Sequence, residues 1–352
     1  MSSISTYTSV DSQNSGITDL QIPERFLFSA VKEKKSKKSF NFPNLLKVRS
    51  RSSKKKIVEQ LPLLDALRKR NLPTLAELYG SFSDNMGNGA SGNVRATFSL
   101  RDGKKYAVKT YRAKHEGQKK KQYFERISSE IYIGASLSHR NIIRTIDVIM
   151  EEGKIHQIME FCPNDLITIV QGGLASAEQL DQYFLQMMEG LRYLHHRGVA
   201  HRDVKLENLC VNEEGVLKII DFGSSFIVTN PFDLFQTKSA TSFVGTDPYI
   251  APEIQDRKAY DATKADIWSA GVVYVVMVLK RFPWKAALPS EKSYTSFLQN
   301  RDQDEFFRLL PAGSIPLIRQ MLDPNPDTRA TIDEVFNDSW LQSLRTPSSL
   351  DT

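Results

Sequence analysis

The run His201-Arg202-Asp203-Val204-Lys205-Leu206-Glu207-Asn208 decides how the rest of the chain is read. It matches the ordered pattern H-R-D-x-x-x-x-N at every fixed position. Thirteen residues after Asn208 comes Asp221-Phe222-Gly223, which closes an apolar, strand-like run over 216–220. Thirty residues after Asp221 comes Ala251-Pro252-Glu253. Each triplet alone is common. All three in this order and at this spacing are not what core packing would produce. Asn208 and Asp221 are also hard oxygen donors, the ligand type that a cation such as Mg2+ prefers.

Upstream, Gly87-Asn88-Gly89-Ala90-Ser91-Gly92-Asn93-Val94 reads G-x-G-x-x-G-x-V. Glycine allows backbone conformations and close approaches that a Cβ would block. On its own the signal fits a plain glycine-rich turn. A dinucleotide-binding reading would need a helix to begin at the glycines. The next residues, 94–100, are strand-like instead and end in a turn at Asp102-Gly103, which favours a hairpin folded over phosphates. The following strand carries Tyr106-Ala107-Val108-Lys109. A lysine there needs an acidic partner. Glu130 lies 21 residues later on a helical pattern, with Glu125 as the fallback.

With these motifs in hand, residues 78–341 are identified as resembling the eukaryotic serine/threonine protein kinases. The resemblance implies an α+β, bilobal protein kinase fold. Its small lobe is β-rich with one C-helix, and its larger lobe is helical. It implies ATP and Mg2+ as cofactors and protein substrates as partners. By the resemblance, the loop residues Gly87, Asn88, Gly89, Ala90, Ser91, Gly92, Asn93 and Val94 cover the phosphates, with Ala107 and Lys109 beside them. The backbone of Glu160 and Cys162, in Met159-Glu160-Phe161-Cys162, meets the adenine edge, and Met159 guards its back. Asp165 reaches toward the ribose. Asp203 orients the acceptor hydroxyl and takes its proton. Lys205 adds positive charge, Glu130 holds Lys109, and Asn208 and Asp221 hold the metal. Lys205 together with Thr246 is the serine/threonine signature. Asp266 braces the catalytic loop, and Arg329 pairs with Glu253.

Finer features, among them Asp247-Pro248-Tyr249-Ile250 and Arg281-Phe282-Pro283-Trp284-Lys285, are similar to the fungal halotolerance and permease-regulating kinases. That likeness implies a role with membrane ion or nutrient transporters. One position departs from the family. Gly134, one helical turn after Glu130, stands where kinases carry a bulky apolar residue. Tyr132 or Ile133 is expected to fill that gap. In the segment from Asp221 to Glu253, Ser242 is the candidate activating phosphorylation site, with Thr241 second and Arg202 as the cationic partner. Glu207, with Asp165, points to a preference for basic residues before the target hydroxyl.

The composition agrees with a globular domain. Of 352 residues, 40% are hydrophobic and 25% charged. The net charge is +6, but residues 1–70 hold 15 Lys/Arg against 6 Asp/Glu, a local +9, which leaves −3 for the rest. Residues 1–56 therefore read as a basic, serine-rich disordered tail. Residues 57–77 read as a short helical lead-in and 342–352 as a C-terminal tail. The basic tail implies attraction to an anionic membrane surface or to an import receptor. It has too few aromatics for base stacking, so nucleic acid is not an expected partner.

The two cysteines, Cys162 and Cys210, cannot form a disulfide framework, which suits a reducing compartment. No secretory signal pattern opens the chain. The longest apolar run, 268–279, has 12 residues, short of the roughly 20 that span a bilayer. A cytoplasmic monomer is expected, with nuclear or peripheral membrane association as variants. The rival class is a pseudokinase scaffold, but Lys109, Asp203, Asn208 and Asp221 are all present.

Overall fold

The computed structural model describes residues 74–345, apart from 90, 231–232, 257 and 302–304. The basic tail and most of the lead-in lie outside the described residues. The description begins with α1 (Leu75–Tyr79), whose capping box joins Thr74 and Glu77. Leu75 and Tyr79 are buried against Val108, Ile149 and Ile158.

Five antiparallel strands make the small lobe: β1 (Phe82–Asn88), β2 (Gly92–Phe98), β3 (Lys105–Tyr111), β4 (Thr145–Glu151) and β5 (Lys154–Glu160). They are ordered β1-β2-β3-β5-β4. Strand β3 is central, and Ala107, Val108 and Lys109 are consecutively buried because both faces of the sheet are covered. α1 covers one face. Helix α2 (Lys120–Ser136) covers the other, where its Tyr123, Ile127, Ile131 and Ala135 recur every fourth residue. That spacing makes one apolar stripe, which packs on Tyr111, Val148 and Ile155.

The large lobe is helical. Its first helices are α3 (Leu166–Gln171) and α4 (Ala177–His196). Short strands follow the hinge. β6 (Asn164–Asp165) pairs with β8 (Leu209–Val211), which pairs in turn with β9 (Leu217–Ile219), while β7 (Val199–Ala200) pairs with β10 (Phe226–Ile227). Ile143 N donates to Ile219 O across 3.0 Å and Ile219 N to Asn141 O across 2.9 Å, tying the chain after α2 to β9. After the short α5 (Pro252–Gln255) comes α6 (Ala262–Leu279).

α6 begins at Ala262, ahead of the apolar run 268–279, because Asp261 caps the amides of Thr263 and Lys264. Its 18 residues are apolar enough to cross a membrane by composition alone, but 78% of them are buried. It is the core helix of this lobe, buried on all sides, as the 268–279 run implied.

Candidate active site

Positioning starts at the β1–β2 hairpin. A Cβ on Gly92 would collide with the Thr110 carbonyl of β3, so only glycine lets these strands approach. A Cβ on Gly87 would meet nothing within 4 Å, so the backbone there faces open space. Arg112 Nη2 donates to Asn88 Oδ1 at 2.7 Å and fixes the hairpin over β3. No helix starts at these glycines, which excludes the dinucleotide geometry. Ala90 lies outside the described residues.

Strand β3 delivers Lys109 below the hairpin. Its Nζ is 2.6 Å from Glu130 Oε1 and 3.2 Å from Asp221 Oδ1. Lys109 and Glu130 are 7% and 4% exposed, so the pair is shielded from solvent. Burial pushes the Lys109 ammonium down, but Glu130 and Asp221 outweigh it and the net direction is up. For Asp221, burial pushes up, while Lys109, the Gly223 amide and His201 pull down more strongly. Both groups are therefore held in their charged forms. Glu125, the fallback partner, pairs with Lys121 at the surface, 3.7 Å away.

Asp221 has φ 62°, a left-handed conformation uncommon for a non-glycine residue. Its Oδ1 accepts from Gly223 N at 3.1 Å. This turn aims the carboxylate at Lys109 and sends Phe222 into the core, 4% exposed, edge-on to the His201 ring. His201 in turn lies 3.0 Å from the Ile220 carbonyl through Nε2. The two motifs therefore fix each other.

The catalytic loop hangs on buried Asp266 of α6. Asp266 Oδ2 accepts from His201 N at 2.8 Å, and Oδ1 from Arg202 N at 2.7 Å. His195 Nε2 sits 2.9 Å from Oδ2. Below that anchor, Asn208 Nδ2 donates to the Asp203 carbonyl (2.8 Å) and to its Oδ2 (3.0 Å). Thr246 donates its hydroxyl to Asp203 Oδ1 at 2.9 Å. Lys205 Nζ reaches both Asp203 Oδ2 (2.9 Å) and Thr246 Oγ1 (2.7 Å). One carboxylate thus faces a hydroxyl, an ammonium and a carboxamide.

Oxygen donors remain for a cation. The nitrogen of Asn208 is occupied by Asp203, which leaves its carbonyl oxygen, and Asp221 keeps a second carboxylate oxygen on a side chain 39% exposed. Among the described residues, no group of three or more His, Cys, Asp or Glu could cage a metal. Two oxygen-bearing side chains beside a phosphate-covering loop fit Mg2+, which keeps its waters and shares phosphate ligands.

The structure shows what surrounds Asp165 and Gly134. Asp165 Oδ1 accepts from Thr168 N at 2.7 Å as the N-cap of α3, which occupies one of its two carboxylate oxygens. The space at Gly134 is bounded by Phe222, Gln157 and Thr145 from other elements, each 3.5 Å from where a Cβ would stand. Phe222 faces the helix at this point and leaves room for no more than a small side chain.

Two contributors have little sequence signal. The Tyr111 hydroxyl lies 2.9 Å from Glu130 Oε1 and 2.7 Å from Gln157 Oε1, and Gln157 Nε2 donates to Thr145. Tyr111 is two residues after Lys109, hence on the same strand face, which is the one available clue. At the hinge, Glu160 Oε2 lies 3.1 Å from Lys218 Nζ while Oε1 accepts from Arg144 N. Arg329, expected opposite Glu253, meets it through two bonds of 2.6 and 2.8 Å while 1% exposed.

Comparison with known proteins agrees with this geometry. Residues 81–341 match the family model described as protein kinase domain. The chain is 38% identical over 284 residues to the probable serine/threonine-protein kinase RTK1 of Saccharomyces cerevisiae, covering 77% of this chain and 46% of that protein. It is 34% identical over 303 residues to the nitrogen permease reactivator protein of the same yeast, covering 74% and 38%. It is 33% identical over 295 residues to the serine/threonine-protein kinase HAL4/SAT4, also from that yeast, covering 79% and 48%. The chain thus spans about half the length, or less, of these relatives.

Proposed function

The chain belongs to the protein kinase domain family, and from that premise we propose that it transfers the γ-phosphoryl group of ATP to serine and threonine hydroxyls of other proteins. The observation that carries the reading is the joint closure of Lys109 on Glu130 and on Asp221, opposite an Asp203 that already accepts a hydroxyl hydrogen bond from Thr246. A scaffold without activity has no use for these four charged residues held in this arrangement.

Each group has one task in this reading. The β1–β2 hairpin covers the phosphates with backbone N–H groups, and Lys109 holds the phosphate chain. Mg2+, when bound, supplies positive charge to the phosphate oxygens, and Asn208 and Asp221 would hold it. Asp203 orients the incoming hydroxyl and accepts its proton, in the role that Thr246 now mimics. Lys205 sits beside that carboxylate and adds positive charge where negative charge develops, so catalysis is mainly positioning and neutralisation.

For substrates, exposed Glu207 in the catalytic loop supports recognition of arginine before the target residue. The likeness to the nitrogen permease reactivator protein supports transporters or their regulators as targets. The +9 charge of residues 1–70 supports a targeting role for the tail at an anionic membrane surface or an import receptor. Phosphorylation of an oriented peptide library by the full chain tests the reading. Label is expected on Ser and Thr, with Arg or Lys enriched on the N-terminal side. Label confined to Tyr, or none under Mg-ATP, would overturn it.

A further inference from the structure

Tyr111 touches both members of the Lys109–Glu130 pair. Its hydroxyl lies 2.9 Å from Glu130 Oε1, and the Lys109 ammonium stands 5.5 Å from the centre of its ring. Lys109 and Tyr111 alternate along β3 and so share one face of the sheet. They differ in stiffness. Lys109 reaches on a long flexible stem. The Tyr111 ring is packed with Ile127, Ile131, Val148 and Ile155 and is 2% exposed. The strand and this packing therefore fix where the hydroxyl stands.

The hydroxyl is braced from behind. Gln157 is opposite Lys109 in the register of β3 and β5. Its Oε1 lies 2.7 Å from the Tyr111 hydroxyl, and its Nε2 lies 2.8 Å from Thr145 Oγ1 on β4. Gln157 and Thr145 are both buried. A tyrosine hydroxyl carries one hydrogen, so it cannot donate to Gln157 and to Glu130 together. A half-turn of the Gln157 amide exchanges its nitrogen and oxygen within the same outline and completes the chain. Thr145 then donates to Gln157, Gln157 donates to the Tyr111 oxygen, and Tyr111 gives its hydrogen to the charged Glu130 oxygen, the strongest acceptor of the set.

Helix α2 offers no apolar grip along this edge. Glu130 and Gly134 are one helical turn apart, and a Cβ at 134 would already meet the Gln157 amide and the Thr145 hydroxyl at 3.5 Å. The stripe from Tyr123 to Ala135 holds the helix to the sheet, but it contains neither residue 130 nor residue 134. A polar chain stands where a side chain at 134 would pack.

We propose that the Tyr111 hydroxyl, braced through Gln157 on Thr145, is a positioning group that holds Glu130, and through it Lys109, in register for the phosphate chain, and that Gly134 leaves the room this polar chain needs. The inference rests on the kinase reading for what Lys109 holds.

The experiment measures kcat and KM of the full chain with a serine peptide and Mg-ATP, alongside melting temperature and amide hydrogen exchange over 128–136. Tyr111→Phe removes one hydroxyl and keeps the ring. It should lower kcat about tenfold, leave the peptide KM within about twofold, and speed exchange over 128–136. Gln157→Met should lower kcat as well. In a Glu130→Gln background, Tyr111→Phe should cost little more, because the hydroxyl acts through that carboxylate. Thr97→Val deletes a different buried hydroxyl, one bonded to the Tyr79 carbonyl, and should lower the melting temperature while sparing kcat. A wild-type kcat in Tyr111→Phe, or an equal further loss on Glu130→Gln, overturns the positioning role. A wild-type kcat in Gln157→Met overturns the brace. A loss of kcat in Thr97→Val as large as in Tyr111→Phe traces the effect to stability alone and overturns the role too. If wild type transfers no phosphate, the kinase reading fails instead, and unchanged exchange over 128–136 in Tyr111→Phe still overturns the hold on the helix.

Discussion

Arg202 Nη1 donates to Ser242 Oγ across 2.8 Å, joining the catalytic loop to the segment between Asp221 and Glu253. The same guanidinium donates through Nε to the Ser224 carbonyl at 2.7 Å and lies over the Phe226 ring. Its remaining capacity points at the serine hydroxyl. A phosphate on Ser242 would bring roughly −1.5 to −2 charges to a cation already in place. Activity of wild type should therefore fall on phosphatase treatment and return on incubation with ATP, whereas Ser242→Ala should stay low. Equal rates in all samples would exclude the switch, and loss confined to Thr241→Ala would move it one residue.

Gly134 yields a prediction of opposite sign for two substitutions. A Cβ there meets Phe222, Gln157 and Thr145 at ordinary contact distance, 3.5 Å each. Gly134→Ala should then recover about 1 kcal/mol of helix propensity and raise the melting temperature by about 2–4 °C. Gly134→Leu has no room in front of Phe222 and should lower both stability and activity. A destabilised alanine variant would show that the helix needs glycine for another reason.

Breaking the Arg329–Glu253 pair should be costly. The guanidinium is 1% exposed, also bonds the Lys264 and Asp323 carbonyls, and stacks over Trp268. Removing Glu253 strands a buried charge, at a cost of about 3–5 kcal/mol. Glu253→Ala should unfold at markedly lower denaturant concentration than wild type. An unchanged midpoint would mean that the pair contributes no net stability.

The charged site should be insensitive to pH over the neutral range. Asp221 is lowered from an ordinary 3.8, so its contribution is full above that value and is lost as pH falls through the folded pKa. Lys109 is raised from 10.5, so its contribution is full below that value and is lost only as pH rises beyond it. The melting-temperature difference between wild type and Asp221→Asn should thus be flat from about pH 5 to 9 and change only in stronger acid. A slope between pH 6 and 8 would implicate a histidine instead.

Much of the site was legible in the sequence because its chemistry demands particular side chains at particular spacings. Asp203, Asn208, Asp221, Lys109 and Glu130 converge as the motifs imply. Legibility ended where strand register decides a contact. Nothing in the sequence puts Cys210 opposite Lys218. The Tyr111–Gln157–Thr145 chain depends on how β3, β4 and β5 align. The capping role of Asp165 was not legible beside its expected ligand role, because it depends on the fold bringing the Thr168 amide within reach of one oxygen. At Gly134 the missing bulk comes from Phe222, 88 positions along the chain, a distance that no local pattern bridges.

The most direct test of the account is phosphoryl transfer from γ-labelled ATP to a serine peptide by wild type and Asp203→Ala, measured side by side on protein shown to be folded by circular dichroism. Asp203 anchors no core residue, and its partners Lys205, Asn208 and Thr246 all belong to the site. The account predicts transfer by wild type and a loss of about 10²-fold or more in the variant, with Mg-ATP still raising its melting temperature. Transfer by folded Asp203→Ala at the wild-type rate would contradict it.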